Sequence, residues 1–433
     1  MVLPDTKRYD MLKKPKKQAW YLTPLAWLLS LPVLWKHKLK INKQGMEKLK
    51  PPYVLLSTHH AFVDFKVTTM AIFPHRANYI VAIDGFIGRE GLLRNVGCVC
   101  KRKFTNDILL VRQIEHCIRV NKSICAIYPE ARYSLCGTTA ILPESLGKMC
   151  KMLGVPVVVI NMHGNYLSSP VWSLRPQKVA LAADMTQIVR QEEIKELAVD
   201  DINQRIAKAF QYDEYQYLLD THQLITHPKR AEGLHRILYQ CPMCLTEHEM
   251  DSSGETLFCR HCHKTWIMEE TGQLRATSGK TEYSHIPDWY EFEREQVRQS
   301  LENHTYGFED DVTIDALPNA QGYVRLGDGH LIHDDSGFRL TAFIDDQEFL
   351  LEKDPLSLYS LHIEYDYLGK GADCIDLSTL SDTYYIYPKT KKNVVTKLHF
   401  AVEEMYKIAK QKKLEEISNR KSQKEKSDLT DKN

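Results

Sequence analysis

The sequence predicts an α/β domain built on a mostly parallel sheet, then a small cysteine-clamped module, then a β-rich C-terminal domain ending in a helix. Three observations predict this. From residue 53 to about residue 190 the hydrophobic period switches repeatedly between that of buried strands and that of helices, as when strands are joined by helical crossovers. Cys241-Pro-Met-Cys244 and Cys259-Arg-His-Cys262 form two CxxC knuckles. Beyond about residue 288, apolar residues alternate between Gly- and Asp-rich turns, as in antiparallel strands.

Residues 1–40 form a basic N-terminus and an apolar segment. Lys13, Lys14, Lys16 and Lys17 precede Trp20–Trp35, which is almost wholly apolar, contains Pro24 and Pro32, and is shorter than the roughly 20 residues a membrane span needs. Tryptophan at both ends and lysines before it suit an element lying in the headgroup layer of an anionic membrane, with a buried core helix as the plainer alternative. No small-residue cleavage site follows before Lys36 and Lys38, which argues against a cleaved signal.

Residues 41–228 carry the alternating pattern. Strands are expected at YVLLS, NYIVAID, CVCKR, SICAIYP, VPVVVIN and VALAAD, and helices after Asp64, at GLLRNVG, over 106–121 and over 144–153; polar helix-like sequence fills 192–226. Residues 236–270 hold the paired cysteines. Residues 285–410 read as a short helix at 291–303, then a small antiparallel β barrel or sandwich closed by a helix from about 393. The Lys/Glu-rich stretch 411–433 reads as a disordered tail.

Composition excludes little except by balance. The chain has 57 Lys and Arg against 56 Asp and Glu, so no global charge favours nucleic acid, and no nucleic-acid partner is expected. The 11 cysteines are six in apolar contexts from Cys98 to Cys150, the four of the knuckles, and Cys374; this is no disulfide framework, and it suits the cytoplasm or the cytoplasmic face of a membrane.

Two constellations carry chemistry. In Ser57-Thr58-His59-His60-Ala61-Phe62-Val63-Asp64, a histidine leaves a buried strand and a carboxylate follows near a helix start. The carboxylate can fold back to accept from one ring nitrogen, fixing the tautomer that leaves the other nitrogen as a base near neutral pH. A structural pair or a metal site would use the same residues. Two knuckles at the observed separation place Cys241, Cys244, Cys259 and Cys262 around a structural Zn2+, giving a zinc ribbon with Trp266 and Phe258 as packing and His248, His261 and His263 as bystanders. CxxC redox chemistry is the lesser alternative.

Four stretches in fixed order together resemble the motifs of the glycerophospholipid acyltransferase family, the PlsC-like 1-acylglycerol-3-phosphate acyltransferases, over roughly residues 35–190. His59 and Asp64 match the family's His-x4-Asp. Gly97-Cys98-Val99-Cys100-Lys101-Arg102 matches its glycine, short strand and basic residue. Tyr128-Pro129-Glu130-Ala131-Arg132-Tyr133-Ser134 follows Phe-Pro-Glu-Gly-Thr-Arg-Ser with departures, since Ala131 and Arg132 replace Gly-Thr and Tyr133 stands in the arginine slot. Val155-Pro156-Val157-Val158 matches the fourth.

The resemblance implies acyl transfer from acyl-CoA or acyl-carrier protein to the hydroxyl of a lysophospholipid, 1-acylglycerol 3-phosphate foremost, in phospholipid biosynthesis at the cytoplasmic face of a membrane. It implies His59 and Asp64 as the catalytic pair, and Arg102, Glu130 and Arg132 at the acceptor phosphate; Lys103 is the second choice for the basic slot. His60 is expected to line the pocket or support it, Cys98, Cys100 and Cys125 to be core, and His163 to be a pocket or strand-end residue. The competing reading is a zinc-ribbon adaptor or lipid-binding protein at the membrane whose first domain has lost activity, with the altered third motif as its evidence.

Overall fold

In the computed structural model, residues 6–173, 175–369 and 371–430 are described, with side chains as far as residue 420. The N-terminal unit holds α1 (Leu22–Lys36), β1 (Lys40–Gln44), β2 (Val54–Ser57), α2 (Val63–Ala71), β3 (Ala77–Ala82), α3 (Glu90–Val96), β4 (Cys98–Lys101), α4 (Ile108–Arg119), β5 (Ile124–Ile127), α5 (Ser145–Leu153), β6 (Val157–His163), α6 (Asn165–Ser168), β7 (Ala182–Val189), α7 (Val199–Ala209) and α8 (Glu214–Asp220). Its seven strands run in the order β1-β7-β6-β2-β5-β3-β4. All neighbours are parallel except β6 and β7, so the sheet is mostly parallel as expected.

Alternation along β2 sorts the core. Val54 and Leu56 face one layer with Cys125, Ile127, Val157 and Val159, covered by Ile114 of α4, Leu146 of α5 and Ile202 of α7. Leu55 faces the other with Ala126, Val158 and Ile160, covered by Val67 of α2 and, from the distant C-terminal region, Leu317 and Tyr385. Burial on both faces explains why these strands read as continuous apolar runs. The edge strand β1, KINKQ, is mostly exposed and polar, and no apolar pattern announced it.

The ribbon is a four-stranded antiparallel sheet of β8 (Met250–Ser253), β9 (Thr256–Cys259), β10 (Thr265–Met268) and β11 (Leu274–Ala276), ordered β11-β10-β9-β8. Trp266 is fully buried, as expected, and pairs across strands with Leu257. Leu257, rather than Phe258, points inward, because adjacent residues of a strand face opposite sides.

The C-terminal unit contains α9 (Ile286–Glu302), β12 (Phe308–Leu317), β13 (Val324–Asp334), β14 (Gly337–Ile344), β15 (Gln347–Lys353), β16 (His362–Glu364), β17 (Cys374–Ser378), β18 (Thr383–Pro388) and α10 (Val395–Thr430). The strands form one antiparallel sheet, β15-β14-β13-β12-β18-β17-β16, with β15 and β16 as its edges. A barrel or sandwich is therefore not what forms. Its order is set by β12 pairing with β18 across the chain, which alternation cannot reveal. Helix α10 runs through residues 411–430, a stretch rich in the strong helix formers Lys, Glu and Gln, where composition suggested a disordered tail; residues 431–433 lie outside the described residues.

The three units share their interiors. One core cluster joins Tyr166 and Trp172 of the first unit to Cys241 and Trp266 of the ribbon and to Trp289, Ile314 and Phe400 of the last. Trp266 meets Trp289 edge to face, with ring centroids 4.8 Å apart.

Candidate active site

Strands β2, β3, β4, β5 and β6 are mutually parallel, so the segments after them open at one edge of the sheet, where open α/β sheets place their sites. His59 follows β2, Asp84 follows β3, Lys103 follows β4, residues 128–134 follow β5, and Asn165 follows β6.

His59 and Asp64 are brought together, with Nδ1 3.1 Å from Asp64 Oδ2. The same oxygen accepts the backbone N–H groups of His60, at 2.6 Å, and Ala61, at 3.0 Å; Oδ1 accepts Asn165 Nδ2 at 2.8 Å. Asp64 thus ties the loop to the start of α2 while meeting the ring. Burial alone would raise its carboxyl, but the bonds from His59 and Asn165 and the charges of His60 and His59 hold it below the usual carboxylate value. An ionised Asp64 surrounded by donors requires Nδ1 of His59 to carry a proton, so that in the neutral imidazole Nε2 holds the lone pair. The His59 side chain is 25% exposed, whereas that of Asp64 is buried, so the base is reachable from solvent and its orienting partner is not.

The third motif wraps around His59. Glu130 Oε2 accepts the backbone N–H of His59 at 2.7 Å, and the N–H of Ser134 donates to the carbonyl of His59 at 2.8 Å. Oε1 of Glu130 accepts Ala140 N at 3.0 Å and the Tyr212 hydroxyl at 3.0 Å. Glu130 therefore clamps the loop that carries His59. The rings of Tyr128 and Tyr133 each lie 4.4 Å from the His59 ring. Ala131, where the resembling motif has glycine, keeps a left-handed backbone with φ of 57°, a conformation glycine adopts with less strain.

Arg102 and Arg132 do not join the pair. Arg102 is buried and donates to the carbonyls of Leu317, at 3.0 Å, and Pro318, at 3.1 Å, and to Thr383 Oγ1 at 3.1 Å. Arg132 is buried against α10, with Nη2 3.2 Å from His399 Nε2 and 3.3 Å from Glu403 Oε1. The two guanidiniums expected at an acceptor phosphate are found bonded to the C-terminal unit instead. Both are engaged by groups from the C-terminal unit, and Glu403, which has no exposed side-chain surface, needs the cationic company of Arg132.

His60 is buried with its ring edge against Tyr212, 4.5 Å away, and supports the loop. His163 stacks on Tyr217 at 4.7 Å between Glu214 and Asp184, each 3.5 Å away, and so is a strand-end residue. Cys98, Cys100 and Cys125 are core. Asn165 and Tyr212 went unnoticed in the sequence, and Tyr133 was marked only as a departure at the arginine slot; Asn165 had one available signal, its place just after a strand parallel to β2. A separate hollow lies on the C-terminal sheet near His330, Phe349 and Lys389.

The four knuckle cysteines place their sulfurs within 4.8 Å of one another. Cys241 and Cys262 are 3.7 Å apart and Cys244 and Cys259 3.8 Å apart. Tetrahedral zinc with bonds of about 2.3 Å sets sulfurs about 3.8 Å apart, so the donors fit the ion. Burial pushes the Cys241 thiol up. That of Cys244 falls to about 6, because bonds from Thr246, His261 and Cys241 outweigh burial.

No family model matches the sequence, and no curated protein matches it. Among solved structures, the 1-acyl-sn-glycerophosphate acyltransferase PlsC of Thermotoga maritima is similar over 44% of this chain and 79% of its own, at 13% identity and a TM-score of 0.35. That is a distant likeness of fold, from which nothing about chemistry follows.

Proposed function

We propose that this protein transfers an acyl group from a thioester, acyl-CoA or acyl-carrier protein, to the hydroxyl of a lysolipid at the cytoplasmic face of a membrane. The observation that carries the reading is the His59–Asp64 pair, with its ring partly open and its carboxylate buried. Nε2 of His59 takes the acceptor's proton as the oxygen attacks the thioester carbonyl, and Asp64 stabilises the imidazolium. The carbon–sulfur bond then breaks, the proton passes from His59 to the departing sulfur, and ester and free thiol leave. The acceptor is itself the nucleophile, so no covalent enzyme intermediate is needed. The narrower acceptor, 1-acylglycerol 3-phosphate, calls for a cation at its phosphate; with Arg102 and Arg132 engaged elsewhere, the reading stops at the lysolipid hydroxyl.

The N-terminal element supports a membrane location. No helix among the described residues is long and apolar enough to cross a membrane. Helix α1 instead exposes Leu25, Leu28, Leu29 and Trp35, and Trp20 just before it is 76% exposed. Lys13, Lys14, Lys16 and Lys17 are exposed beside it. An apolar helical face next to lysines is what lying at an anionic lipid surface requires. Zinc, when bound, would stabilise the ribbon, with Cys241, Cys244, Cys259 and Cys262 as ligands, and takes no part in acyl transfer.

The test adds the full chain to anionic vesicles containing acyl-CoA and a panel of lysolipids and measures free thiol. Thiol release should depend on acceptor, vanish in His59→Ala, and fall about 10²- to 10⁴-fold in Asp64→Asn, with both variants folded by circular dichroism. Full activity in His59→Ala would refute the assignment. No thiol from any acceptor would favour the inactive adaptor.

A further inference from the structure

Beside the catalytic pair lies a group of ionisable side chains that acyl transfer does not use. Lys103 Nζ is 3.1 Å from Asp84 Oδ2, 2.9 Å from His362 Nε2 and 3.5 Å from Asp376 Oδ2. His362 in turn sets Nδ1 2.7 Å from Asp376 Oδ2 and Nε2 3.3 Å from Glu364 Oε1. Asp84 and Lys103 follow strands of the α/β sheet, whereas His362, Glu364 and Asp376 come from β16 and β17 of the C-terminal sheet.

We propose that this cluster is the wall against which the acceptor's headgroup rests, and that it selects a head rich in hydroxyl or ammonium donors over one ending in a phosphate dianion. The proposal rests on the acyl-transfer reading above and concerns which lysolipid is used.

Position is the first support. Tyr133, whose ring is 4.4 Å from that of His59, connects the two groups. Its phenol is raised by burial and then by the charges of Asp64, Glu364 and Asp84, while Lys103 pulls it down. Three side chains of the two groups keep some exposed surface: those of His59, Asp84 and Glu364 are 25%, 20% and 28% exposed.

Charge is the second. One ammonium faces three carboxylates, and its near neighbours are already Asp84, Asp376 and His362. The arginine that the resembling motif would supply is Tyr133 here, and the guanidiniums of Arg102 and Arg132 are held by the C-terminal unit. A phosphate dianion would therefore approach carboxylates with no free guanidinium to meet it. A hydroxyl or ammonium donor finds acceptors instead. The carboxylates with exposed surface are those of Asp84 and Glu364, while Oδ1 of Asp376, behind them, is buried and accepts no hydrogen bond.

The test uses the full chain with one acyl-CoA and three vesicle-borne acceptors: 1-monoacylglycerol, 1-acylglycerophosphoethanolamine and 1-acylglycerol 3-phosphate. The first two separate a hydroxyl head from an ammonium head. At least one should exceed the phosphate acceptor about tenfold in kcat/KM, and Glu364→Gln should shrink that ratio about tenfold by lowering KM for the phosphate acceptor, with KM for acyl-CoA unchanged. Glycerol 3-phosphate should likewise inhibit Glu364→Gln more strongly than the parent. Asp84→Asn gives a second reading in the same direction. A parent preference for 1-acylglycerol 3-phosphate, or a ratio unmoved in both variants, overturns the wall while acyl transfer stands. Absence of thiol release with every acceptor overturns both.

Discussion

Replacing Glu130 by glutamine separates a clamp from a substrate contact. The carboxylate accepts three donors: His59 N at Oε2, and Ala140 N and the Tyr212 hydroxyl at Oε1. An amide has one acceptor oxygen. With that oxygen toward Ala140 and Tyr212, its NH2 faces the His59 N–H across 2.7 Å. With the amide turned over, the NH2 faces Ala140 N–H. Tyr212 offers no relief by ionising, because burial first and the neighbouring Glu130 next raise its phenol well above the ordinary value. Either arrangement strands one backbone donor, costing about 1–3 kcal/mol, and loses charge-assisted bonds of about 1.5–3 kcal/mol each before relaxation. A net destabilisation of about 3 kcal/mol is expected, read as a lower guanidinium midpoint with unchanged slope. Because Glu130 acts through the backbone of His59, kcat should fall with little change in acceptor KM. A variant with stability within about 0.5 kcal/mol of the parent and a raised acceptor KM would show instead that Glu130 touches the substrate.

Purified protein should carry one zinc per chain by elemental analysis, and chelation should release it, lower the melting temperature and red-shift tryptophan emission, since Trp266 packs on Trp289; an unchanged melting temperature after complete removal would refute a structural role. Two buried histidines set an acid limit: burial holds His333 down to about 3 and His399 to about 4, against about 6.5 in the unfolded chain. Between those values the unfolded chain binds protons that the folded one does not, so stability is full above about pH 6.5 and falls toward acid by up to about 1.4 kcal/mol per pH unit for each group. His333→Gln, which keeps an acceptor for Tyr306, should flatten that decline; an unchanged slope would refute the assignment.

What was legible in the sequence depended on how far along the chain each partner lies. The His59–Asp64 pair and the four knuckle cysteines are local constellations, with spacing set by one loop or one knuckle, and the structure brings both sets together. The strands from Val54 to His163 were legible because burial on both faces leaves only apolar choices. The partners of Arg102 and Arg132 were hidden for the opposite reason. Those partners, Leu317, Pro318 and Glu403, lie in another unit, and no local pattern states that a guanidinium near a motif faces away from it. The order of the C-terminal sheet was hidden in the same way, since β12 pairs with β18 across most of that unit.

On the acyl-transfer proposal, the same long-range partners give the two appendages a role. Residues 130–134 are held on the His59 side by Glu130 and on the far side by Arg132, which reaches His399 and Glu403 of α10. Glu403 is bound further by Arg294 of α9, at 2.6 Å, and by the Ser360 hydroxyl, at 2.6 Å. Burial would raise its carboxyl, yet His399, Arg294 and Arg132 hold it well below the ordinary value. A buried ion network of this kind adds little net stability compared with apolar packing, but removing one partner strands a charge, so it tolerates few alternative arrangements. It lies directly behind the turn that positions His59. The C-terminal helices thereby restrict the loop to one geometry before substrate arrives, which is the condition under which a base placed at hydrogen-bond range lowers a barrier rather than merely binding. The ribbon extends that restraint, because Trp266 packs on Trp289 of α9, the helix that carries Arg294.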